Sequence, residues 1–137
     1  MNQLANYAHW MLRIALAAVF IFHGADKLMN PDMAAMMGMP TIIWLMVGVV
    51  EVGAALLVLL GGFGNDLLTR VGALALLPIM LGAIFMAHWG QWSFMPTESH
   101  PMGGIEFQTV LLLISLYFVL AGNSTENIQT VHLQSTQ

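Results

Sequence analysis

Arg13, His23, Lys27, Glu51, Arg70, His88 and Glu106 stand inside or at the edges of long apolar runs. An ionisable side chain in such a setting costs several kcal/mol unless a partner or water reaches it, so each is a functional candidate. The residue types themselves name a chemistry. Carboxylates, imidazoles and an ammonium held out of bulk water donate, accept and relay protons. Glu51 carries the strongest signal, because it is the sole ionisable residue of its run and lies ten residues from either end. A carboxylate there must be protonated, hydrated or reached from another helix. Lys27, with its long stem, and His23, one turn deeper, are the expected partners. On this reading Glu51, His88 and Glu106 are the candidate catalytic groups, and Phe20, His23 and Lys27 the candidate contacts to a cofactor.

Helical spacing sorts these groups. At about 100° per residue, Arg13, Ala17, Phe20, Gly24 and Lys27 share one stripe. Arg70 and His88, eighteen residues apart, point the same way. Depth places Arg13 and Arg70 toward one membrane face, and His23, Lys27, His88 and Glu106 toward the other, with Glu51 between. Plainer readings stand beside the chemical ones. Arg13 and Arg70 serve as structural charges or snorkel to anionic headgroups. His88 caps its helix, and Glu106 is a first-turn acid favoured by the helix dipole. Trp10, Trp44, Trp89 and Trp92 fall at predicted boundaries and read as an aromatic belt.

Metal ligation is the weaker alternative. His23, His88, Glu106 and His100 form a set suited to zinc, iron or manganese, but no His-x-x-x-His or Glu-x-x-His pair lies on one helix. The sequence has no cysteine, which removes thiolate sites, disulfides and cysteine redox relays. The methionines from Met29 to Met39 offer thioether sulfur to Cu(I), yet they read better as an adaptable apolar loop at the membrane surface.

The elements that must position these groups follow from composition. Hydrophobic residues make up 58% and charged residues 7%, against roughly a quarter charged in a soluble domain. Ten charges cannot coat a soluble fold of 137 residues, so most of the surface must face lipid. Four apolar stretches, about 7–29, 41–61, 67–89 and 105–121, each have the length an α-helix needs to cross ~30 Å of hydrocarbon. Turn formers separate them: Asn30-Pro31-Asp32, the Gly-rich stretch from Gly61 to Asp66, and Pro96 to Gly104. Pro78 marks a kink rather than a break. The first segment lacks a small-residue cleavage site and reads as a retained helix.

The expected fold is therefore all-α. Residues 1–122 form one transmembrane domain, an up-down-up-down bundle of four helices, followed by a polar tail over 123–137. Arg13 and Arg70 on the side of the termini, against Lys27 opposite, put both termini in the cytoplasm. Nothing forms the basic patch that nucleic acid requires. Membrane lipids and other protein subunits are the expected partners.

The order Arg13, Phe20, His23-Gly24-x-x-Lys27-Leu28, Glu51-x-Gly53, Gly61, Thr69-Arg70, His88 and Gly104-x-Glu106 resembles the DoxX family of four-helix membrane proteins. The resemblance runs from Met11 to Gly122. It departs from the family pattern in the 90–103 loop, richer here in Pro, Met and His, and at Ile105-Glu106-Phe107, where an aromatic often precedes the acid. It implies the bacterial cytoplasmic membrane and a place beside sulfur-handling or oxidative-stress enzymes. Relatives include the small subunit of a thiosulfate:quinone oxidoreductase.

Two functions follow. One is a quinone-linked redox subunit in which Glu51, His23, Lys27, His88 and Glu106 serve the two carbonyls and Phe20 walls the slot. No haem pair, flavin motif or iron–sulfur ligand set is present in the sequence, so electrons would arrive from a partner. The other is a non-catalytic anchor or assembly subunit whose buried charges specify helix packing.

Overall fold

The computed structural model describes residues 7–123, so the polar tail beyond Asn123 lies outside the described residues. Among the described residues every regular element is helical. Helix α1 spans Ala8–Met29, α2 Thr41–Gly61, α3 Asp66–Ala83 and α4 Glu106–Ala121. A four-residue turn of helix, Met33–Met36, interrupts the first connection. Helix α3 runs through Pro78 and is extended by a π-helical turn over Ile84–His88. Counted with that turn it has 23 residues, while α1 has 22 and α2 has 21, so all three are long and apolar enough to cross a membrane. The chain is an integral membrane protein with three such spans. Helix α4 is equally apolar but only 16 residues long.

Sequential helices pack antiparallel. Gly24 of α1 faces Gly48 of α2, while Arg13, near the start of α1, reaches Val58 near the end of α2. Gly61 meets Thr69 across the α2–α3 turn, and Arg70 of α3 bonds Val119 and Leu120 at the end of α4. At the opposite end His88 meets Gln108. The start of α1, the 62–65 turn and Asn123 therefore share one end of the bundle.

An apolar core of Leu16, Ala17, Phe20, Ala55, Val58, Ala73, Leu76, Leu111 and Phe118 runs down its centre. Membrane helices gain little from hiding apolar side chains from apolar lipid, so close backbone approach and polar bonds must hold them together. Glycine supplies the approach. A Cβ on Gly72 would lie 2.7 Å from the Ala54 carbonyl oxygen and 2.9 Å from the Val58 nitrogen, so α2 and α3 meet there backbone to backbone. Gly24 and Gly48 do the same for α1 and α2, each Cβ falling within 2.9 Å of the other's carbonyl oxygen.

This arrangement makes a paired prediction. Gly72→Leu forces α2 and α3 apart and lowers stability by about 2 kcal/mol or more. Gly82→Ala, at an α3 position with open space around it, leaves stability within about 0.5 kcal/mol or raises it. Thermal unfolding in detergent measures both.

Candidate functional site

The polar residues gather at three levels rather than around one centre. At the end shared by the termini, Arg13 is fully buried. It does not reach a headgroup, which corrects the snorkelling alternative for this residue: its place on the inward stripe of α1 turns it into the bundle. The guanidinium donates from Nη1 to the Val58 carbonyl and to Thr69 Oγ1, and from Nη2 to Asn123 Oδ1. Its Cζ lies 4.6 Å from the centre of the Phe118 ring, a cation–π contact within a desolvated site. Thr69 Oγ1 donates in turn to Asn123 Oδ1 at 2.8 Å, and Asn123 Nδ2 donates to the Gly61 carbonyl at 2.9 Å. Asp66 Oδ1 accepts the Asn123 backbone N–H at 2.7 Å. Asp66 also pairs with Arg70 Nε at 2.6 Å, and Arg70 caps the carbonyls of Val119 and Leu120. This clasp draws on all four long helices.

In the middle of the bundle, Lys27 and Glu51 form an ion pair. Lys27 Nζ lies 2.9 Å and 3.1 Å from the two carboxylate oxygens. Glu51 is 3% exposed, and among the described residues this ammonium is its hydrogen-bond partner. The Gly24–Gly48 crossing makes the reach short: a Cβ on Gly48 would fall 3.1 Å from Lys27 Cβ, so the lysine stem lies against α2. Trp44, seven residues before Glu51 and hence on the same helix face, is 93% buried by its 7% exposure, and Lys27 Nζ lies 5.2 Å from its ring centre. Trp44 is thus part of the site and not of an aromatic belt. Its indole N–H is buried with no acceptor among the described residues. His23, the other expected partner of Glu51, contributes only its backbone carbonyl, 3.4 Å from Lys27 Nζ, while its imidazole lies on an exposed face edge-on to Phe22. Phe20 is buried in the apolar core.

At the far end His88 and Glu106 serve the 89–105 loop. His88 Nδ1 bonds the Gly103 carbonyl at 3.1 Å, which requires a proton on Nδ1 because a carbonyl only accepts. Its Nε2 then accepts from Gln108 Nε2 at 2.9 Å. Glu106 Oε2 accepts the Phe94 backbone N–H at 3.2 Å. The structure records no contact of either residue with Glu51. Trp89 and Trp92 are exposed, and Met29, Met33 and Met36 are exposed around the short helical turn. Among the described residues no three His, Asp or Glu side chains converge as a metal site, and the chain has no cysteine.

A family model described as DoxX matches residues 8–89, more than half of the chain. This chain belongs to the DoxX family. The matched part of this DoxX-family protein holds Arg13, Phe20, His23, Lys27, Glu51, Arg70 and His88; the 90–105 loop and Glu106 lie outside it. The match ends at Trp89, so the loop, α4 and Glu106 all lie beyond it. No curated protein and no solved structure matches the chain.

Three site residues escaped the sequence reading. Trp44 had a usable signal in its two-turn spacing from Glu51. Asn123 and Gln108 had none, since an amide at the start of a polar tail and one in the first turn of a helix are ordinary occurrences.

The clasp predicts an asymmetry at Asn123. Asn123→Ala strips partners from Arg13, Thr69 and Gly61 and costs about 2–4 kcal/mol. Asn123→Asp loses the bond to Gly61 but sets a carboxylate against Arg13, and recovers a measurable part of that loss. Unfolding midpoints of the two variants in detergent decide the matter.

Proposed function

We propose that this protein is the integral membrane subunit of a quinone-linked redox system, with the Lys27–Glu51–Trp44 cluster as its polar centre. In this reading four helices cross a bacterial cytoplasmic membrane with both termini in the cytoplasm. Arg13 and Arg70 at the end of the termini, against Lys27 at the other, support that orientation. The 16 residues of α4 supply most of the fourth crossing.

One observation carries the reading: a buried indole N–H with no acceptor among the described residues sits on the same helix face as a buried carboxylate and beside its ammonium partner. An unpaired buried donor is costly, and a ligand carbonyl relieves it. A quinone supplies two carbonyl acceptors and takes up two electrons with two protons. Trp44 and Lys27 are the donors suited to hold one carbonyl, and the Lys27 ammonium, paired with the Glu51 carboxylate, is where a proton is held for it. A partner subunit supplies the electrons. His88 and Glu106, occupied with the loop, take a positioning role.

A second reading, the assembly subunit, draws on a specific observation too. Each of the three full-time cations finds its acceptors inside the chain: Arg13 in the clasp, Lys27 on Glu51, Arg70 on Asp66 and the end of α4. A charge network paired in this way, with only Arg13 Nε left buried and unbonded among these cation nitrogens of the described residues, specifies packing without doing chemistry.

Trp44→Phe separates the two readings, because it keeps the ring and removes only the unbonded N–H. Under the redox reading, native quinone co-purifying with the protein falls about tenfold, the equivalent of one hydrogen bond of ~1.4 kcal/mol. Under the assembly reading neither bound quinone nor thermal stability changes.

Lys27→Met and Glu51→Gln address the pair itself. Each is expected to abolish quinone-dependent turnover in native membranes while the complex still migrates intact on a native gel. Loss of the complex, with normal turnover in what remains assembled, would favour the structural role.

A further inference from the structure

The fourth helix is too short for the membrane its neighbours span, and the loop before it is built to make up the difference. At 1.5 Å per residue the 16 residues of α4 reach ~24 Å, about 6 Å less than a typical hydrocarbon core of ~30 Å. Helix α3, with its π turn, reaches ~34 Å over 23 residues. The two are tied at both ends, Arg70 to Val119 and Leu120, and His88 to Gln108. Helix α4 therefore begins close to the level of His88, where the π turn of α3 ends, and residues 89–105 continue from that level at the membrane boundary.

Their chemistry suits that depth. No residue from Val71 to Thr97 carries a full-time charge. Trp89, Trp92, Phe94, Met95 and Met102 are all more than half exposed, as are Phe85 and Met86 on the π turn, where Phe85 stacks on Trp89. Such a run of bare aromatic and thioether side chains is expensive in water but suited to the headgroup and acyl boundary, where tryptophan collects.

Irregular backbone cannot enter that zone with its polar groups unpaired. Here much of it is paired from within. Ile105 N–H bonds the Gln91 carbonyl, Glu106 N–H bonds Trp92 and Gly104 N–H bonds Ser93, so the two limbs of the loop are laced together. Gln91 Nε2 donates to the Ser93 and Met95 carbonyls. Glu106, His88 and His100 add bonds to Phe94 N–H and to the Gly103 and Trp89 carbonyls. The lacing leaves no room for side chains at its crossing: a Cβ on Gly104 would fall 2.2 Å from the Gln91 carbonyl oxygen.

We infer that residues 89–105 form an interfacial membrane element, a folded loop whose Trp92, Phe94 and Met95 insert among lipid headgroups and upper acyl chains and complete the fourth crossing. The occupant of this apolar surface is lipid, not a protein partner. The inference rests on the membrane embedding of the helices and not on the quinone reading.

The absence of cysteine makes the test direct. Phe94→Cys and Met95→Cys are spin-labelled singly in the full chain, reconstituted in vesicles of phosphatidylethanolamine and phosphatidylglycerol without other proteins. Glu98→Cys serves as the water-side reference and Leu113→Cys, on the exposed side of α4, as the hydrocarbon reference. Labels at 94 and 95 are expected to collide with oxygen at least threefold more often than with a water-soluble nickel chelate, giving values between the two references. A label at either position with the collision profile of Glu98 overturns the inference and makes the loop a water-facing surface open to a protein partner.

Discussion

A guanidinium sealed inside an apolar bundle is the constraint on which the rest of the structure depends. Arg13 cannot be neutralised at physiological pH, and removal from water must be compensated by acceptors placed around it. Those acceptors come from the end of α2, the start of α3 and Asn123, two residues beyond α4. Satisfying one side chain therefore fixes the relative position of all four long helices at that end. Asp66, held by both Arg70 and Asn123, brings negative charge near the site without a direct bond to Arg13.

The pair in the middle has the opposite character. Lys27 and Glu51 compensate each other across a single interface, where paired glycines bring α1 and α2 close. An ammonium and a carboxylate in contact differ from their neutral forms by one proton moved between adjacent atoms, so such a pair is a place where proton position responds to a neighbour. Trp44 adds a donor with no acceptor among the described residues. The clasp spreads the Arg13 charge over neutral oxygens from three other parts of the chain, with Nε left unbonded among the described residues, while Lys27 and Glu51 answer each other directly, beside the His23 carbonyl and the Trp44 ring.

The outer end shows how residues of catalytic type become architectural. His88 and Glu106 carry the side chains of acid–base chemistry, but each bonds the backbone of the 89–105 loop. The π turn that ends α3 sets His88 at the height of Gly103, and the first turn of α4 sets Glu106 beneath Phe94. A short helix and a laced loop together cover the height that a longer helix would have covered alone.

By itself the sequence determined the parts and their order. Apolar runs of membrane length bounded by turn formers yield helices that begin and end within a residue of those runs, since run length and turn residues act locally. The isolation of Glu51 was equally legible, and with it the need for a partner. Only the tertiary structure decided which partner answers, because spacing gives direction about a helix's own axis and not the rotation of one helix against another. That rotation turned Arg13 inward instead of toward headgroups, chose Lys27 over the imidazole of His23, drew Trp44 into the core and directed His88 and Glu106 to the loop. Contacts across 45 to 110 residues of chain, such as Arg13 with Val58 and Asn123, depend on packing that no local pattern encodes.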